Sequence, residues 1–145
     1  MGEPSYEVTH EVRNACLCLH LQQAARAVAR RFDAALRPLG LTNGQFSLLM
    51  SLNRPEPPTI GSISALLAMD RTTLTANLKP LVRRGLAAVI VDEADKRSRR
   101  LVLTPAGRDL LAAAVPVWRE THAEIEDAMG QPEADRLRAD LRALG

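Results

Sequence analysis

The nine residues Asp92-Glu93-Ala94-Asp95-Lys96-Arg97-Ser98-Arg99-Arg100 carry four cationic and three anionic side chains between two apolar runs, Leu86 to Val91 and Leu101 to Leu103. Guanidinium groups at that density suit charge-assisted hydrogen bonding to phosphate and to base edges. Two short β-like runs joined by a charged tip form a hairpin, and a slender tip bearing Arg97 fits a DNA minor groove, where narrow A·T-rich stretches concentrate negative potential. Asp95, two residues earlier, is expected to brace that guanidinium through a bidentate pair. Arg99 and Arg100 are expected at phosphates, although strand alternation sends them to opposite faces, so only one need reach. The plainer alternative for these charges is a surface ion pair worth ~0 to 1 kcal/mol.

A second set lies just upstream. Asp70 is placed to cap a helix whose first turns present Arg71, Thr72, Thr73, Thr75 and Ala76, with Lys79 further along the same flank. The N-terminal residues of a helix in the major groove face the base edges. Arg71 suits a guanine edge or a phosphate, threonine hydroxyls serve either, their methyls pack on thymine methyls, and Lys79 is better placed for phosphate. The alternative is that these residues cap and solvate a surface helix.

Catalysis finds no support. Histidines are scattered at His10, His20 and His122, there is no Gly-rich phosphate loop and no Ser-His-Asp pattern, and Asp92, Glu93 and Asp95 on a hairpin make no preorganised acid pair. No cofactor is expected. Cys16 and Cys18, two apart on one helix, diverge by ~200° and cannot join each other or share a metal. Cys18 falls at the margin of that helix's apolar stripe, as a small apolar filler does, and Cys16 nearly opposite, where it would be an exposed thiol, a contact between subunits or a redox sensor. Cys16 and His20 share a face at i, i+4, but two ligands do not make a metal site.

Helices must position these groups. From Val12 to Arg37 apolar residues at Leu17, Leu21, Ala24, Ala25, Val28, Phe32, Ala35 and Leu36 keep helical spacing, and Pro38 and Gly40 end the run. Thr42-Asn43-Gly44-Gln45 has the form of a capping box before a short helix to about Leu52. Arg54-Pro55-Glu56-Pro57-Pro58 cannot be helical and serves as a connector. Thr59 caps a third helix with Ile63, Leu66 and Leu67, and the helix after Asp70 runs through Leu74, Leu78 and Leu81 to Arg83, Arg84 and a left-handed Gly85. This pair of short helices has the form of a helix-turn-helix unit. Thr104-Pro105 opens a long helix to about Met129, with a kink expected at Pro116, and Glu133 to Leu144 forms the last.

The chain has 145 residues, one domain's worth, with 46% hydrophobic residues but only four aromatic ones, so its core must be built from Leu, Ala and Val, a composition that favours helices. No run approaches the ~18 apolar residues of a membrane span, and Met1-Gly2-Glu3-Pro4 has neither a basic leader nor an apolar run for secretion; a soluble cytoplasmic protein is expected. The net charge of +2 hides a division: Asp70 to Arg100 holds eight basic residues against four acidic, and Arg119 to Arg142 four against seven. One module is built to meet polyanion and the other is not. The apolar stripes at both ends exceed what a compact core of residues 41–104 has room to cover, so a two-fold homodimer is expected.

Three stretches together, Asp70-Arg71-Thr72-Thr73-Leu74-Thr75, Leu81 to Leu86 with its Arg-Arg-Gly-Leu ending, and Asp95-Lys96-Arg97-Ser98 leading to Leu103-Thr104-Pro105-Ala106-Gly107, resemble the MarR family of bacterial transcriptional regulators. The resemblance covers nearly the whole chain. It implies a mainly α (α+β) fold in a single domain over 1–145: a winged helix-turn-helix lobe at 41–104, and dimerisation helices at 10–37 and 105–145. It implies a sequence-specific DNA-binding regulator, a repressor released by a small effector, reading a pseudo-palindrome on double-stranded DNA as a homodimer, with Asp95 and Arg97 paired at the wing. Regulators of this kind take small aromatic or phenolic anions in a crevice between dimer helices and DNA-binding lobes; here its walls would come from the first helix, the second and the start of the fifth, with His20, Arg26, Phe46 and Met50 as candidates. The alternatives are a winged-helix protein-interaction module that has lost DNA binding and a thiol-based redox-sensing regulator. The chain departs from the family pattern at Ala76 and Val89, where arginine is common, which implies weaker or more salt-sensitive binding, and at Ala68, where glycine is frequent and alanine is strained if left-handed.

Overall fold

The computed structural model describes residues 2–145 as seven helices and one hairpin: α1 (Tyr6–Ala15), α2 (Leu17–Leu36), a 3-10 turn (Arg37–Leu39), α3 (Asn43–Ser51), α4 (Ile60–Leu66), α5 (Arg71–Arg83), β1 (Ala87–Val91), β2 (Arg99–Leu103), α6 (Pro105–Met129) and α7 (Gln131–Leu144). The predicted caps form. Thr42 accepts from the Gln45 N–H at 3.1 Å while the Gln45 side chain accepts from the Thr42 N–H at 3.0 Å, a reciprocal capping box. Thr59 and Thr104 accept from Ser62 and Gly107 in the same way. Gly40 and Gly85 adopt positive φ, as the stops at the ends of α2 and α5 require.

The core is the predicted Leu-rich one. Leu36, Leu48, Leu49, Ile63, Leu74, Leu81 and Leu101 are completely enclosed, with Phe32 and Phe46 beside them. α6 closes one side by an unusually near approach: Gly107 lies where a Cβ would sit 2.0 Å from the Leu86 carbonyl oxygen and 2.9 Å from Leu103 Cδ1. Thr104 reinforces that junction by donating its hydroxyl to the Gly85 carbonyl at 2.6 Å.

Two sequence expectations about the first helix need correction. The first helix is not continuous: Cys16, with ψ of 112°, breaks it into α1 and α2. Nothing in the local sequence marks that break, since neither glycine nor proline is present. Cys18 is exposed rather than a buried filler, its sulfur accepting from Gln22 Nε2 at 3.4 Å, and Cys16 is half-buried. The stripe of α2 is buried only at Phe32 and Leu36, while Leu17 stays 69% exposed, and α1 buries no residue at all. α6 spans Pro105 to Met129 with Pro116 inside it.

The hairpin pairs Ala87 with Leu103 through Val91 with Arg99, antiparallel. It is not alone. Thr59 bridges to Arg100 and the Leu101 N–H donates to the Pro58 carbonyl at 2.9 Å, so the proline connector lies along β2 as a rudimentary third strand.

Candidate nucleic-acid interface

α5 owes its placement to its start. The Asp70 carboxylate accepts from the Thr73 N–H at 2.8 Å and from the Thr73 hydroxyl at 3.0 Å, and these two bonds, the backbone one foremost, hold its carboxyl below the usual 3.8. Across the turn from α4, Ala68 is left-handed at φ 50°, a strained backbone for a residue with a Cβ. The Ser64 hydroxyl bonded to the Met69 carbonyl holds that turn closed. The inner face of α5, Leu74, Leu78 and Leu81, is sunk in the core.

What remains outside is a shallow concavity lined by Arg71, Thr72, Thr75, Ala76 and Lys79. Five of the six residues predicted on this helix are thus brought together on one exposed face. Thr73 is not among them: two residues on from Arg71 it lies ~200° around the helix, and its hydroxyl donates to Asp70. Thr75 donates its hydroxyl to the Arg71 carbonyl at 2.8 Å, which leaves its oxygen as an acceptor and its methyl for apolar contact.

The wing differs from expectation in how its charges are spent. Asp95 does not grip the Arg97 side chain; its carboxylate accepts from the Arg97 backbone N–H at 3.0 Å, an Asx turn that shapes the tip, and the Ser98 N–H donates to the Asp95 carbonyl at 2.9 Å. Among the described residues no carboxylate pairs with the Arg97 guanidinium, which stands in solvent at the tip. Arg99 folds back and donates to the Lys96 and Ser98 carbonyls at 3.0 and 3.3 Å. Arg100 is committed further: its Nη1 donates to the Pro57 carbonyl at 2.5 Å and its Nε meets Asp92 at 3.2 Å. Arg100 is thus spent within the protein, whereas Arg99, exposed and bonded through Nη1 alone, keeps its Nε and Nη2 donors for a phosphate. The opposite faces predicted for the two are observed, Arg99 exposed and Arg100 half-buried.

A second concavity opens above the lobe. Phe46 and Met50 of α3, Leu66 at the end of α4 and Trp118 and Arg119 of α6 line a crevice of about 560 Å³, with Arg54 at its edge. Trp118 stacks on Phe46 on one side and on His122 on the other, with centroids 6.3 and 4.6 Å apart. Phe46 and Met50 fall where the sequence put them, but His20 and Arg26 do not: both are exposed on α2 outside this crevice, and His20 Nδ1 donates to the Cys16 carbonyl at 2.7 Å. Sequence reasoning missed Trp118 and Arg119, although an aromatic residue beside an arginine in a chain with four aromatics was a usable signal. A third, apolar groove between α2, α6 and α7 is lined by Leu21, Val28, Met129, Leu137 and Leu141.

Among the described residues no group of three His, Cys, Asp or Glu side chains is placed to hold a metal, and no helix is long and apolar enough to cross a membrane.

Comparison with known proteins places this geometry. A sequence profile described as "MarR family" matches residues 39–98. The transcriptional activatory protein BadR of Rhodopseudomonas palustris is 31% identical over 113 residues, 75% of this chain and 65% of BadR, so the chain spans just under two thirds of that relative. The solved structure of the M. tuberculosis transcriptional regulator MosR in complex with DNA superimposes with a TM-score of 0.82 at 39% identity, covering 90% of this chain and 93% of that one. The transcriptional repressor CouR, bound to a 23-mer DNA duplex, does so at 0.81 and 28% identity over 99% of both chains.

Proposed function

This chain belongs to the MarR family of winged-helix transcriptional regulators, and from that premise we propose that it reads a pseudo-palindromic operator as a homodimer. The observation that carries this reading is the division of α5, apolar residues inward and the row Arg71, Thr72, Thr75, Ala76 and Lys79 outward, beside a wing whose tip holds the Arg97 guanidinium in solvent. Two α5 helices related by a two-fold axis enter successive major grooves roughly 34 Å apart, while the wings reach the flanking minor grooves. Arg71 supplies the base or phosphate contact, Thr72 and Thr75 small polar and methyl contacts, and Lys79 a phosphate contact. The exposed apolar faces of α1, α2 and α7 and the groove between α2, α6 and α7 are the dimer surface on this reading. On this reading the protein works in the cytoplasm, where its DNA would be.

Control by a small molecule follows from the crevice at Phe46, Met50 and Trp118. An aromatic wall with Arg54 and Arg119 at hand suits a flat aromatic or phenolic anion, held by stacking and a charge-assisted bond. On this reading binding there, between α6 and the reading lobe, releases DNA, as for a repressor relieved by its effector.

Fluorescence anisotropy against the intergenic duplex upstream of its own gene, with a scrambled duplex as competitor, tests the central claim. Specific binding should weaken steeply with salt, and Arg97→Ala should cost ~1 to 3 kcal/mol. Binding no tighter than to the scramble would refute it.

A further inference from the structure

Arg100 and Asp92 are two wing charges that the DNA reading leaves without a task, and their surroundings give them one. Asp92 is nearly buried, its side chain 12% exposed, and uses both carboxylate oxygens: one accepts from the Ala94 N–H at 3.0 Å, the other meets Arg100 Nε at 3.2 Å. Arg100, 34% exposed, reaches in the other direction to the Pro57 carbonyl. A planar guanidinium offers five donors in a fixed fork and so serves a carboxylate and a carbonyl at once. Pro57 and Pro58 lack N–H groups, so the connector faces β2 with acceptors only, and both are used, one by the Arg100 side chain and the other by the Leu101 N–H.

A two-stranded hairpin is marginal by itself. Here the strip at Pro58 and Thr59 supplies the third element, and Thr59 is also the cap of α4, whose closed turn leads directly into α5. The reading helix is joined to the wing directly through Leu86 into β1, and a second connection, from α4 through Thr59 to β2, passes through Arg100.

We propose that Asp92 and Arg100 are positioning residues, a latch that sets the pitch of the wing against α5 so that Arg97 and Arg71 engage one duplex together. The proposal rests on the DNA reading given above. The latch touches no nucleic acid, and this separates it from a phosphate contact by sign. If Arg100 held a phosphate, neutralising Asp92 would free the guanidinium, remove a repelling charge and tighten binding. For a latch the same change weakens binding.

The test is anisotropy on the same upstream duplex with Asp92→Asn, Arg100→Lys, Arg100→Gln and the double variant Asp92→Asn/Arg100→Gln, alongside amide exchange at Leu101. The asparagine still accepts from Ala94, so the turn is kept. Each single variant should lose about tenfold in specific affinity, lysine rescuing no better than glutamine, and the double should be no worse than either. The dependence of log K on log salt should keep its slope, whereas loss of a phosphate contact would reduce that slope by about 1. Leu101 should lose protection while the amides of α5 keep theirs. Tighter binding by Asp92→Asn, rescue by Arg100→Lys, or undiminished Leu101 protection would each overturn the latch. Absence of specific binding by the unaltered chain would instead overturn the DNA reading, and the latch with it.

Discussion

The lobe from Leu41 to Thr104 and the helices flanking it draw on the same Leu, Ala and Val, at similar helical spacing, and end in opposite states. In the lobe the apolar positions Leu48, Leu49, Ile63, Leu74, Leu81 and Leu101 are enclosed. On the flanking helices Leu17, Leu21, Val28, Leu137, Leu141 and Leu144 all remain more than a third exposed. Hydropathy does not separate the two sets; neighbours do. The lobe's elements are short and surround one another, whereas α2 is covered only at Phe32 and Leu36 and α7 only at Ala134, so the rest of their stripes stay open within one chain. A half whose apolar positions are largely covered is joined to one whose outer apolar faces are left open, the faces that the proposed homodimer would cover.

Several changes would break or sharpen that contrast. The largest effect belongs to the enclosed side: Leu81→Ala should cost about 3 kcal/mol in urea unfolding, while Leu141→Ala, read at concentrations where the chain is monomeric, should stay within about 0.5 kcal/mol. Equal losses would erase the distinction. The paired change Leu21→Glu with Leu141→Glu should leave the fold intact by circular dichroism yet raise the dimer dissociation constant at least about a hundredfold in sedimentation, because two charges are forced into an apolar contact. Gly107→Ala should cost about 2 kcal/mol, since a methyl there must push α6 away from the Leu86 carbonyl. Thr42→Ala should remove about 1 kcal/mol by leaving α3 uncapped.

Acid gives the mildest test. Asp92 is held below the usual 3.8 by the Ala94 N–H and then by Arg100, so its contribution is fully present above that ordinary value and is lost as pH falls through the lowered one. Protection at Leu101 should therefore persist from neutral pH to about pH 4 and fall below it, and Asp92→Asn should remove that acid limb.

Much of this was legible in order along the chain. The caps at Thr42, Thr59, Asp70 and Thr104 and the stops at Gly40 and Gly85 are local bonds between residues three or four apart, and a spacing rule reads them directly. The face of α5 was legible for the same reason, with Thr73 as the exception, ~200° around the helix from Arg71. The wing misled in detail. Asp95 beside Arg97 resembles a side-chain pair, but at i, i+2 in a tight tip the backbone N–H is the nearer donor. His20 and Arg26 were assigned to a crevice that Trp118 and Arg119 in fact line, more than seventy positions away in sequence.

The capped helix starts, the glycine stops, the apolar faces, the separation of basic from acidic modules and the outward row of α5 could all be read along the chain, because each depends on periodicity or on hydrogen bonds a few residues long; the break at Cys16 could not. Only the tertiary structure decided which charges are free and which apolar faces are covered. Arg97 and Arg100 are the same residue type three positions apart. One stands in solvent and the other is tied to Pro57, forty-three positions earlier, because the connector happens to lie against β2. That pairing is set by packing in three dimensions, and no spacing rule along the chain encodes it.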